Sequence, residues 1–312
     1  MTNNKEKILI IGGAGYIGSV LTPKLVENNF NVTVIDVFKN QDNIFNNILF
    51  NKNLDIKKMD AREINVNFLK KFDIIIPLAA IVGAPACDAN PSDATSINRD
   101  SIAKLCKLSS KNQKIIFPTT NSGYGATTGE VMCNENTPLN PISLYGKLKK
   151  ESEEIIMSRD NSISFRLATV FGVSPRHRID LLVNDFTYKA YNDGYLVLFE
   201  KNFKRNYIHL SDVANGFLFA INNFDKLKNN SFNLGLSEAN LSKQDLALEI
   251  KKFVKNLLIL YSEFKEDPDK RNYIVDNTKI ENKGFRAKVT ISSGIEELIK
   301  YYSYSKNINK NV

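Results

Sequence analysis

The 312-residue chain predicts an α/β fold: a parallel sheet with helices on both faces, followed by a smaller C-terminal α/β unit. Three observations predict it. Apolar runs alternate with amphipathic stretches through the first half, glycines cluster directly after the first run, and the alternation loosens beyond about residue 171. Continuously apolar strands belong to sheets buried on both faces, and crossover helices supply that cover.

The elements follow in order. Residues 8–11 read as a buried strand. Residues 17–27 read as a helix with Ile17, Val20, Leu21 and Leu25 on one side. Further strands are expected at 32–35, 74–78, 114–117 and 162–167. A helix over roughly 95–111 would show Ile102, Leu105, Cys106 and Ser109 on one face. Later helices are expected near 180–192, 211–223, 243–255 and 293–303, with a frayed tail after Tyr304. The length exceeds a usual single domain. The expected division is 1–171 for the first domain, with 206–224 returning to it, and 172–312 mainly for the second.

Composition excludes several classes. The net charge is +8, from 42 Lys and Arg against 34 Asp and Glu, and no dense basic tract stands out. Scattered lysines are a solvated surface, so no nucleic-acid partner is expected. Three separated cysteines and two histidines make a zinc site improbable and suit a reducing compartment. No apolar segment approaches the roughly 20 residues of a membrane span, and no signal peptide is visible. A cytoplasmic protein without a membrane partner is expected.

Residues 12–18 read GGAGYIG, between a strand and a helix. Glycine inside an element costs about 0.5–1 kcal/mol relative to alanine, so the cluster needs a reason. A diphosphate approaching the free N–H groups of the helix start supplies one. Asp36 ends the next strand about twenty residues on, where a carboxylate accepts from an adenosine ribose and repels a 2′-phosphate. NAD is therefore expected rather than NADP, on a Rossmann-type sheet. Further on, Tyr145 and Lys149 stand at i and i+4 on one helical face. A nearby ammonium would lower the phenol pKa and make the tyrosine a usable base.

Together these residues resemble the extended short-chain dehydrogenase/reductase family of NAD-dependent nucleotide-sugar epimerases and dehydratases, over nearly the whole chain. The resemblance places NAD against Gly12, Gly15, Tyr16, Ile17 and Gly18, although the family usually carries Thr where Ile11 stands. It adds Asp36, Asp60 and Ala61, then Leu78, Ala79 and Ala80, then Tyr145 and Lys149. It implies Tyr145 and Lys149 as catalytic, with Thr120, four positions before Tyr124, holding the reacting sugar oxygen. Asn121 and Ser122 stand where family dehydratases carry Asp and Glu. Neither side chain can hold or deliver a proton near neutral pH, so dehydration is not expected.

Arg205 in RNYIH and Arg271 in DPDKR resemble the family's two diphosphate arginines. Arg176 and Asn184 complete the expected substrate set with Thr120, Asn121 and Ser122, and Arg178 is a further candidate beside Arg176. His209 is expected to be structural. Longer stretches, VGAPAC at 82–87 and DLLVNDF at 180–186 among them, are similar to a subgroup of GDP-D-glycero-D-manno-heptose C4-dehydrogenases from bacterial capsule pathways. That similarity implies oxidation at C4 of a GDP-heptose. A nucleotide-sugar 4-epimerase is the alternative, and a non-catalytic NAD-binding module a more distant one. A homodimer through helices 95–111 and 144–158 is also implied.

Overall fold

The computed structural model describes residues 6–39, 43–127, 131–262 and 271–305. The expected tail after Tyr304 falls mostly outside them, as do the first four residues of the DPDKR stretch.

Seven parallel strands form the main sheet: β1 (Lys7–Ile11), β2 (Asn31–Asp36), β3 (Leu54–Lys58), β4 (Ile74–Pro77), β5 (Lys114–Thr120), β6 (Ser162–Leu167) and β7 (Asn230–Leu234). Their order is β7-β6-β5-β4-β1-β2-β3, so the chain reverses direction beside β1. That reversal opens a crevice at the C-terminal strand ends, where ligands of such sheets bind.

Alternation along β1 shows how both faces are buried. Ile8 and Ile10 pack beneath α1 (Gly18–Glu27) and α5 (Leu210–Asn222), meeting Leu21, Leu25, Val213 and Phe217. Leu9 and Ile11 pack on the other side, under α2 (Ser101–Leu108) and α3 (Leu144–Met157), meeting Ile102, Leu105 and Ile156. Each fully buried Leu or Ile contributes about 1.5–3 kcal/mol, so this double cover is the main favourable term.

The remaining long helices are α4 (Leu182–Asp193), α6 (Lys243–Lys251) and α7 (Ile291–Tyr304). They pack on one another around a small mixed sheet of Thr169–Phe171, Lys204–His209 and Asn240–Ser242. Two parallel strand pairs complete this part: Tyr195–Leu198 with Leu258–Tyr261, and Met132–Cys133 with Ile274–Val275.

Three features differ from the sequence expectation. β3 and β7 join the sheet although LDIKK is half-exposed and NSFNL is largely polar, so neither shows a continuous apolar run. The returning stretch begins later and runs further than 206–224: Lys204–His209 belongs to the small sheet, while α5 and β7 cover and extend the large one. The single helix expected over 95–111 is divided into Pro91–Thr95, a π-turn at Ser96–Asp100, and α2. π-turns of this kind often mark functional sites.

Candidate active site

The glycine loop is shaped by close approaches. Gly12 adopts φ +82°, and a Cβ there would lie 2.5 Å from the Ala79 backbone. A Cβ on Gly18 would lie 2.3 Å from the Gly13 carbonyl oxygen. Gly15 differs: its Cβ would meet only the Gly12 carbonyl, at 3.3 Å, so the space above it stays open. Helix α1 starts three residues on, at Gly18, so the positive end of its dipole lies at the end of this loop. The Asp36 carboxylate accepts from the Ala14 and Phe38 N–H groups, each at 2.9 Å. Each oxygen keeps a lone pair for a ribose hydroxyl. Leu78 and Ala79 both donate backbone N–H to the Ile11 carbonyl at 2.7 Å, and Ala80 follows, half-buried, at the β4 end.

Asp60 precedes Ala61 and takes three donors from Arg62, namely backbone N–H, Nε and Nη2. Those bonds hold its carboxyl below the usual range. Asn98, in the π-turn, clamps the loop after β4: its Oδ1 accepts from the Ile81 N–H and its Nδ2 donates to the Ile81 carbonyl, both at 2.8 Å.

Thr120 ends β5 and caps the short turn Asn121–Tyr124, accepting from the Ser122 N–H at 3.1 Å and meeting the Ser122 hydroxyl at 2.9 Å. Asn121 is 1% exposed, and among the described residues neither atom of its amide has a partner. Tyr145 and Lys149 open α3, which Ser143 caps by accepting from the Gly146 N–H. Tyr145 packs beside Cys87, Ile81 and Leu148.

The electrostatics correct one expectation. Desolvation pushes the Tyr145 phenol up to about 12, and the cations that oppose this are Arg178 and Arg271, not Lys149. Lys149 is itself buried, with Nζ 4.1 Å from the centre of the Phe117 ring. Burial pulls its ammonium down to about 7 against the attraction of Glu153. An amine that is already neutral well below the pH at which the phenol titrates brings no charge to bear on it there.

The other expected substrate residues divide. Arg178 pairs with Asp180, Nε to Oδ1 at 3.2 Å, and bears on Tyr145. Arg176 is turned into the protein, its Nη1 donating to the His177 carbonyl at 3.1 Å. Asn184 is engaged with the chain: Oδ1 accepts from the Gly172 N–H at 3.0 Å, and Nδ2 donates to the Arg178 carbonyl at 2.8 Å. It therefore shapes the 172–178 loop. Arg205 is 2% exposed, lies over the Tyr273 ring and donates to the Lys204 carbonyl. Arg271 is half-buried two residues before Tyr273, so both arginines belong to one corner of the small sheet. His209 caps α5, and its Nε2 faces the Glu297 carboxylate at 3.0 Å.

Asn98, Glu153 and Arg166 escaped the sequence reading. Asn98 falls within the helix expected over 95–111, and Glu153 and Arg166 are thirteen residues apart with no local pattern that pairs them.

The signature of the NAD dependent epimerase/dehydratase family matches residues 8–235. The chain belongs to this family. NAD is the family's cofactor, and the open cradle over Gly15, the free lone pairs of Asp36 and the half-buried β4 end fit a dinucleotide. A Methanocaldococcus jannaschii protein provisionally named UDP-glucose 4-epimerase is 27% identical, across 97% of this chain and 99% of its own. A Danio rerio UDP-glucuronic acid decarboxylase is 24% identical, across 96% and 73%. Among solved structures, UDP-glucuronic acid 4-epimerase of Bacillus cereus, with UDP-glucuronic acid and NAD, superimposes at a TM-score of 0.83. It is 22% identical over 95% of this chain and 99% of that one. dTDP-glucose 4,6-dehydratase of Bacillus anthracis, with NAD, gives 0.81 at 19% identity, over 96% and 97%. The fold is thus that of the family throughout. No described helix is long and apolar enough to cross a membrane.

Proposed function

We propose that the chain oxidises C4 of a nucleotide-sugar to the ketone, the substrate being GDP-D-glycero-D-manno-heptose of a capsule or surface-polysaccharide pathway. One observation carries the C4 chemistry. Tyr145 and Lys149 open a helix packed on β5 and the turn that Thr120 caps, and the positive charges of Arg178 and Arg271 favour the phenolate of the tyrosine. Bound NAD supplies the hydride acceptor for C4. Tyr145 takes the proton of the 4-hydroxyl, Thr120 hydrogen-bonds the 4-oxygen, and Lys149 holds the ribose hydroxyls. Arg205 and Arg271 suit the diphosphate, because guanidinium forks match phosphate oxygens.

Asn121 and Ser122 supply no acid–base pair, so the reaction stops at the ketone rather than proceeding to loss of water. The GDP-heptose assignment rests on the stretches at 82–87 and 180–186. A 4-epimerase, which returns hydride to the opposite face of the ketone, is the second reading. It is favoured by the near full-length similarity to the protein named UDP-glucose 4-epimerase.

The test is incubation with NAD and either GDP-D-glycero-D-manno-heptose or UDP-glucose. A dehydrogenase accumulates reduced nicotinamide and 4-keto sugar together. An epimerase yields the C4 epimer and no net reduced cofactor. Absence of both products with the GDP-heptose overturns that substrate. A homodimer through α2 and α3 belongs to the same proposal and is read by light scattering. Ile102, Leu105 and Ile156 are spent on the core, so its contacts would come from charged positions such as Lys107, Lys147 and Glu154.

A further inference from the structure

A buried polar chain crosses beneath the catalytic helix and uses none of the residues assigned above. Arg166 sits in β6, in register with Thr119 of β5 on one side and Asn233 of β7 on the other. Its Nε reaches both carboxylate oxygens of Glu153, at 3.0 and 3.2 Å. Its Nη1 donates to the Tyr124 hydroxyl at 3.2 Å and to the Glu135 carbonyl at 3.1 Å. Tyr124 in turn donates to Asn233 Oδ1 at 2.7 Å, and Asn233 Nδ2 donates to the Asp276 carbonyl at 2.9 Å. Glu153, Arg166, Tyr124 and Asn233 are all buried.

Each end of this chain touches a segment that carries the site. Glu153 lies one helical turn beyond Lys149 and two beyond Tyr145, on the same face of α3. Tyr124 closes the turn that Thr120 caps. Asp276 follows the segment of Arg271 and Tyr273. Replacing a buried ion pair with apolar side chains is often neutral or stabilising, so stability alone is a poor reason to bury this one. Fixing one arrangement of three segments is a better one.

We propose that Glu153 and Arg166 are positioning residues for hydride transfer, holding the helix of Tyr145 and Lys149 against the turn of Thr120. This rests on the C4-oxidation reading. Glu153 also supplies the negative charge that Lys149 feels from its own helix. From β5, Phe117 presents its ring to Lys149 and Thr119 donates to the Lys149 carbonyl. Arg166 stands beyond Glu153 on β6, Tyr124 lies in the adjoining turn, Cys87 and Arg99 lie on the neighbouring helical segments, and Glu151, on α3 itself, is paired with Arg99 at 3.3 Å. Among these, Glu153 is the carboxylate that favours the ammonium. Removing it lets Lys149 lose its proton at lower pH.

The experiment uses the full chain and two readouts. Trace acetylation with acetic anhydride across the neutral range, followed by mass spectrometry of the Lys149 peptide, reads that lysine without substrate or cofactor. Glu153→Gln is expected to weaken its proton affinity about tenfold, and Glu153→Asp to restore most of it. If Glu153→Gln fails to fold, the double change Glu153→Gln with Arg166→Met removes both charges together and takes its place. An unmoved midpoint overturns the charge role. Tyr124→Phe keeps every charge and removes one hydroxyl. With GDP-D-glycero-D-manno-heptose and NAD it is expected to lower kcat about fivefold to tenfold while KM is unchanged. An unchanged kcat overturns the positioning role. If the unaltered protein fails to turn over, the substrate assignment falls, the Tyr124→Phe comparison is made with UDP-glucose instead, and the acetylation result still decides the charge role of Glu153.

Discussion

The two halves of the crevice are built by different means. The half proposed for the dinucleotide consists of strand ends and a glycine loop: residues 12–18, Asp36, Asp60–Ala61 and 78–80. Backbone N–H groups and close backbone contacts do most of its work. The half proposed for the sugar gathers Thr120, Tyr145, Arg178, Arg205 and Arg271 from segments far apart in the chain. Side chains hold it. The Tyr16 hydroxyl donates to the Gly172 carbonyl at 2.7 Å, and the Ser19 and Ser174 hydroxyls meet at 2.8 Å. The Glu297 carboxylate accepts from the Val173 N–H at 2.9 Å. Tyr302 donates to the Asn184 carbonyl and meets His177 Nε2 at 3.0 Å. A backbone cradle needs a few residues without side chains at the right spacing, whereas a cradle made of side chains needs the whole fold.

This contrast can be broken most severely at Tyr145. Tyr145→Phe should reduce hydride transfer by about 10²–10⁴-fold, read as nicotinamide absorbance, while NAD titration stays unchanged. Loss of both together would mean that the halves are not separable.

Lys149 comes next, through pH. Its ammonium titrates near 7 in the fold against 10.5 when free, so between those values the unfolded chain binds more protons. Stability from this group therefore rises with pH across that window, and the full cost of burying the charge is present below it. Lys149→Met should raise the melting temperature most at pH 7 or below, with an advantage that shrinks toward pH 10. A constant difference would place the ammonium in water.

In the backbone-built half, Gly12→Ala should cost about 1–3 kcal/mol, because φ +82° and the Ala79 contact both oppose a Cβ. Thermal melts with and without NAD would show lost stability together with a lost ligand shift. Asp36→Asn should shift the NADP-to-NAD preference by about tenfold, roughly 1.4 kcal/mol, in a two-cofactor binding titration. The smallest effect is at the seam. Ser19→Ala removes one buried hydroxyl contact and should cost about 1 kcal/mol in denaturant unfolding, with NAD affinity nearly intact.

Legibility followed the same division. β1, β2, β4, β5 and β6 announce themselves as apolar runs, and α1, α4 and α5 stand within a few residues of where periodicity puts them. β7 does not, because buried Asn233 is satisfied by partners in distant segments and leaves no local trace. The Tyr145–Lys149 spacing was visible, but its electrostatics were not: helical register brings the two together, while burial decides what each charge costs. Arg176 and Arg178 were indistinguishable as neighbours in SPRHR. Only the packed loop pairs one with Asp180, where its charge bears on the tyrosine, and turns the other into the backbone.

By itself the sequence determined the doubly covered parallel sheet, the glycine turn, the carboxylate after β2 and the helical register of the tyrosine and lysine. All of these are set by neighbours within a turn or a strand, or by an apolar pattern that repeats locally. The tertiary structure alone decided which arginine's charge bears on Tyr145, that Lys149 gives up much of its hydration, and that Glu153, Arg166 and Tyr124 form one buried chain. Desolvation and long-range pairing depend on what folds over a residue, and no stretch of sequence around that residue records it.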